Sequence, residues 1–152
     1  MYNPIYTANN FIERSFEDNI YISPMKLQKM LYFFYRDYLK RTNEPLFAER
    51  FMAWPYGPVL ISIYYNFKKY GSRPIDKFVE LEGKLFKIKE EIDTNFKDII
   101  CEIWNRCRNL DAITLSKITH KENGAWIKAY LHKKPFLEDE DIRNDNIEIS
   151  TC

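Results

Sequence analysis

The chain has 152 residues, long enough for one well-filled core, and its 23 Lys and Arg against 22 Asp and Glu leave a net charge of +1, which offers no global argument for nucleic-acid or membrane binding. Aromatic residues make up 16% of it, with 11 Tyr and 11 Phe, so rings either fill the core or line a partner surface. Three cysteines, Cys101, Cys107 and Cys152, with no CxxC pair argue against a disulfide framework and fit small buried thiols in a reducing compartment. No run approaches the roughly 20 apolar residues of a membrane span, and the start lacks the charged and apolar regions of a signal peptide. The expectation is a soluble, cytoplasmic protein.

In chain order, Ile5, Ala8, Ile12 and Phe16 follow Pro4 at helical spacing and predict a helix over 4–18. Ser23-Pro24 starts a second: the hydroxyl caps free amides, and proline suits the first helical position. Leu27, Met30, Leu31, Phe34 and Tyr38 make its apolar stripe, while Lys26, Lys29, Arg36, Asp37 and Lys40 read as the opposite, charged arc. Phe33 falls inside that arc and needs a second neighbour, either another element of the chain or a docking partner.

Arg50–Trp54 reads as a short strand. Pro55, Gly57 and Pro58 then stop and restart the chain, with Pro58 in the first turn of a helix whose inward face holds Ile61, Tyr64, Tyr65 and Tyr70, capped by Gly71. Alternation on either side of Glu82-Gly83 predicts a hairpin, and Ile92–Leu110 carries a long helical pattern with Cys101 and Cys107 in it. Asp111 caps a further helix that ends at His120, and Gly124 precedes a last one around Trp126. The resulting fold class is mainly α with a minor antiparallel β element. One domain spans 1–134, followed by an acidic end, 135–152, in which six acids oppose Arg143 and which reads as solvated.

Catalytic chemistry is hard to find. The four glycines are scattered, which excludes a glycine-rich phosphate loop. His120 and His132 stand twelve apart without a carboxylate at metal-ligand spacing beside both, so neither a metal nor a cofactor is expected. Cys101 or Cys107 with His120 would make a nucleophile pair only if the thiols were accessible, and both lie in the apolar helical pattern. Lysines interleaved with rings on the Ser23 helix are compatible with single-strand binding, yet such faces are usually just solvated. An enzyme is not expected, and a nucleic-acid binder is a minor reading.

Four strings together resemble one family. Pro24-Met25-Lys26-Leu27-Gln28-Lys29-Met30-Leu31-Tyr32-Phe33 is similar to the "P-x-K-L-Q-K-L-L-Y-F" opening of the SocA-like antitoxin family, also called the Panacea domain. Ala53-Trp54-Pro55-Tyr56-Gly57-Pro58-Val59 resembles its "W-x-Y-G-P-V" signature, and Phe67-Lys68-Lys69-Tyr70-Gly71 its "F-x-x-Y-G" pattern. Leu115-Ser116, Thr119-His120 and Trp126 follow its "L-S-x-x-T-H…W" segment. Pro55, standing where the family often has a charged or polar residue, departs from the pattern and stiffens the turn. The resemblance implies a compact helical domain of bacteria and their phages that neutralises a toxin encoded nearby by direct protein–protein contact.

Candidate contact residues are the rings and cations around the signature turn: Tyr32, Phe33, Arg36, Trp54, Tyr56, Tyr64 and Lys68, with His120 and Trp126. Trp, Tyr and Arg most often carry interface energy, although each ring taken alone also fits a core position. Alternatives are an adaptor that delivers its partner to an ATP-dependent protease, with the acidic end as second contact, and a phage protein that counters a host defence enzyme.

Overall fold

Helix α2 (Pro24–Thr42) runs through the middle of the computed structural model, which describes residues 1–149, and the other elements wrap it. It starts as the sequence predicts, with Ser23 Oγ accepting from the Lys26 amide at 3.3 Å and Pro24 in the first turn. It is not amphipathic, however. Lys26, Lys29 and Arg36, expected on a solvated arc, are buried together with Phe33. A helix covered on all sides buries its polar arc too, and only neighbouring elements decide that.

Around it in chain order come α1 (Pro4–Asp18), β1 (Met52–Trp54), β2 (Gly57–Val59) and α3 (Ile61–Phe67). These are followed by β3 (Glu80–Leu81), β4 (Lys84–Leu85), α4 (Thr94–Cys107), α5 (Ala112–Thr119), α6 (Ala125–Leu131) and α7 (Asp139–Arg143). The architecture is mainly α with two small antiparallel strand pairs, as expected. Phe11 of α1 and Phe96 of α4 both meet Phe34 edge-on, at 5.9 and 4.8 Å between centroids, and bind the three helices into one core. Asp93 caps α4 through the Phe96 amide and also accepts from the Tyr2 and Tyr38 hydroxyls. Burial opposes its charge, but those bonds hold its carboxyl below the usual range.

Two boundaries differ from the sequence reading. Pro58 lies in β2 rather than in a helix, because the chain returns antiparallel to β1 with Trp54 opposite Gly57 before α3 begins. The inward face of α3 is Ile63 and Phe67; Tyr64 and Tyr65 are exposed. The hairpin at Glu82-Gly83 forms as predicted, both turn residues at positive φ. It is fastened by a pair of α1 amides: Asn9 bonds the backbone at Val79 and Phe86, and Asn10 bonds Ile88.

The acidic end also departs from expectation, since its described part is built into the fold. Phe136 bridges to Met52 and the Leu137 amide donates to Phe51 O, extending the β1–β2 pair. Leu137, Ile142 and Ile149 are buried. Asp145, 2% exposed, accepts from the Tyr32 hydroxyl at 2.5 Å, stands 3.7 Å from the Arg36 guanidinium, and caps the Ile147 amide. Gly124 lies against this segment so closely that a Cβ there would meet Ile147 Cδ1 at 2.5 Å. Cys107 is buried, with its thiol pushed up to about 12 by burial, and Cys101 is half-buried beside Arg14. Cys152 lies outside the described residues.

Candidate partner-binding site

Four residues, Trp54-Pro55-Tyr56-Gly57, turn β1 into β2, and side chains from three helices hold them. Pro55 presets one turn dihedral, and Gly57 adopts φ 118°, closed to ordinary side chains. Space excludes them as well: a Cβ on Gly57 would lie 2.8 Å from Thr119 Oγ1 and 2.9 Å from Lys29 Cε. Gln28 of α2 donates to Leu60 O and accepts from the Leu60 amide, both at 2.9 Å, and Lys29 Nζ donates to Pro58 O at 3.0 Å. Ser116 of α5 donates to Tyr56 O at 2.6 Å, and the Trp126 indole of α6 to Trp54 O at 2.7 Å. The bonds to Trp54 O, Tyr56 O and Pro58 O fix the backbone of the turn and of β2, and the Gln28 pair fixes the start of α3.

So held, the turn presents rings outward. Trp54 is half-buried and packs edge-on against Tyr64 at 4.8 Å; Tyr64 meets Tyr65 at 5.5 Å, and Lys68 Nζ sits 5.1 Å over the Tyr65 ring. Tyr56 is 66% exposed, Tyr64 39% and Tyr65 62%. Between the turn, the start of α2 and α3 runs a groove of about 400 Å³, walled by Trp54, Tyr56, Val59, Ile63 and Tyr64. Its charged lining residues are Lys29 and Lys68, with no carboxylate among them. Burial lowers the Lys29 amine to about 7.

The sequence-predicted contact residues therefore divide. Trp54, Tyr56, Tyr64 and Lys68 come together on this surface. Tyr32, Phe33 and Arg36 lie inside the fold about one to two turns further along α2 than Lys29, Tyr32 and Arg36 engaged with Asp145 and Phe33 beneath the Arg36 guanidinium at 4.8 Å, and none of the three can reach a partner in this conformation. Trp126 is buried too, and His120 stacks on it at 3.9 Å and 15°, a structural pair under the turn. Burial, and then the nearby Lys29 amine, lower the His120 pKa, and its Nε2 has no partner among the described residues. Sequence reasoning missed Gln28, Ser116 and Tyr65. Gln28 stands beside Lys29 and Ser116 beside Lys117, and their place in the family strings is the one signal that could have marked them. Among the described residues no three His, Cys, Asp or Glu group as metal ligands would, and no helix is long and apolar enough to cross a membrane.

The site is a turn fastened by polar motif residues, with rings open to solvent beside it. The sequence profile described as "Antitoxin SocA-like, Panacea domain" matches residues 27–127, and the chain belongs to that family. It is 28% identical over 124 residues to antitoxin SocA of Caulobacter vibrioides (strain NA1000 / CB15N), a match covering 78% of this chain and 65% of the relative. The chain thus spans slightly less than two thirds of that relative's length. No solved structure matches it.

Proposed function

We propose that this protein is an antitoxin-type binding module that neutralises a toxin encoded near it by direct protein–protein contact, through the surface of Trp54, Tyr56, Tyr64 and Lys68. The observation that carries this reading is the exposed aromatic groove on a turn fastened by the family's own motif residues: Gln28 and Lys29 from its opening string, Ser116 and Trp126 from its last. Rings held rigid before binding lose little conformational freedom on association, which favours affinity. Kinship with a protein named as an antitoxin supports the same reading. A free acidic end, on which an adaptor role would rely, finds no support, because Leu137, Ile142, Asp145 and Ile149 are buried in the domain.

The test is co-expression of the tagged chain with the product of its neighbouring gene, followed by pull-down and by growth with that neighbour expressed alone. A toxic neighbour, rescued and recovered in stoichiometric complex, is the expected result. A neighbour that is harmless and unbound would overturn the reading.

A further inference from the structure

Lys29 is buried to 1% exposure, and its ammonium has three hydrogens to donate. One goes to Pro58 O; among the described residues no carboxylate lies within ion-pair distance of it. A buried charge is normally paired; of the other two buried cations of the same helix, Arg36 is ion-paired and Lys26 donates to the Arg108 carbonyl at 2.8 Å. Lys29 lines the groove floor and Lys68 its rim, so the groove is apolar, cationic and without an acid of its own. Its volume of about 400 Å³ suits one or two large side chains.

We propose that the groove takes an acidic, apolar segment of the protein partner, with an apolar side chain seated against Trp54, Ile63 and Tyr64 and an adjacent carboxylate answering Lys29 and Lys68. This rests on the binding-module reading in using the same surface, and it adds the chemistry of the occupant. A nucleic acid fits less well. Two cations offer few phosphate contacts.

The charges around Lys29 add a pH signature. Lys68, just past α3, and the Tyr56 phenol line the same groove, and His120, just past α5, lies close enough to feel the Lys29 charge; none of them is a carboxylate. A carboxylate is held by the charged amine, while the free amine loses its proton near pH 7. Affinity for an acidic segment therefore falls as pH rises above about 7, by up to about tenfold per unit.

The test titrates the full-length chain, followed by NMR at the Trp54 indole, with the peptide Ac-Leu-Glu-Phe-Asp-NH2, its Gln/Asn counterpart, and oligothymidylate. The acidic peptide is expected to shift the Trp54 resonance and to bind at least about fivefold more tightly than the neutral one at pH 6.5. That margin should shrink at pH 8.5 and in Lys29→Met, and should reverse in Lys68→Glu, an exposed change that keeps the proposal testable should Lys29→Met not fold. Equal binding of the two peptides, shifts away from the groove, or preference for oligothymidylate would each overturn it. A toxin captured by pull-down while the peptides go undiscriminated would overturn this inference alone. A failed pull-down with discriminating peptides would overturn the antitoxin reading alone.

Discussion

Two cations on α2, seven residues apart and both buried, are treated in opposite ways. Arg36 is met from all sides: Asp37 at 2.8 Å, Asp145 at 3.7 Å, the Ile147 carbonyl, and the Phe33 ring. Lys29 meets one carbonyl and a groove. Around Arg36, about two turns further along the same face, the acidic C-terminal segment closes the fold over the helix, and that region is architecture. Around Lys29 the signature turn covers the helix beside the groove, which is the proposed seat of a partner segment. Burial alone does not separate the two. The presence or absence of an internal counter-charge does.

Removing the closing segment should give the largest effect. Truncation after Leu137 deletes two buried isoleucines and the Asp145 carboxylate, a loss of about 6–10 kcal/mol, comparable with a domain's whole stability. The truncated chain should lack cooperative unfolding by circular dichroism; a normal thermal transition would show that the segment is dispensable. Asp145→Ala, which leaves Arg36 short of a partner and Tyr32 without its acceptor, should cost about 3–5 kcal/mol in urea denaturation. A loss under about 1 kcal/mol would erase the difference between the two cations.

On the open side the effects should fall on binding rather than folding. Tyr64→Ala should weaken the complex with the neighbouring toxin by about 2 kcal/mol in calorimetry while Tm barely moves, since Tyr64 is already partly exposed. Unfolding of that variant would return the ring to a structural role. Lys29 in the folded chain gives up its proton near 7 and in the unfolded chain near 10.5. Between those values the unfolded state holds more protons, so stability rises with pH by up to about 1.4 kcal/mol per unit, and below pH 7 the burial penalty is fully present. Lys29→Met should flatten that slope, as read by urea midpoints from pH 7 to 10. Ser116→Ala, removing one bond to Tyr56 O, should cost the least, about 1 kcal/mol in urea denaturation.

Local chemistry was legible in the residues themselves. Ser23 and Asp111 cap their helices, the Asp111 side chain accepting from the Thr114 amide at 2.8 Å, and Glu82-Gly83 turns its hairpin, because each depends on neighbours a few positions away. The four family strings were legible as well, though not what their polar residues do. Ser116 and Trp126 act on carbonyls 60 and 72 positions earlier in the chain. No periodicity encodes a partner that distant.

What the sequence by itself determined is the set of elements, their class and the family. Only the tertiary structure decided which faces are covered. Period and propensity report how a helix would like to sit against one neighbour, and α2 has neighbours all round. Lys26, Lys29 and Arg36 of its charged arc are therefore buried, its Tyr32 and Phe33 are withdrawn from any partner, and an acidic end that reads as solvated supplies a counter-charge to Arg36 through Asp145. Lys29 acquired no such counter-charge, because the element laid over it is a proline- and glycine-bearing turn that brings carbonyls but no acid.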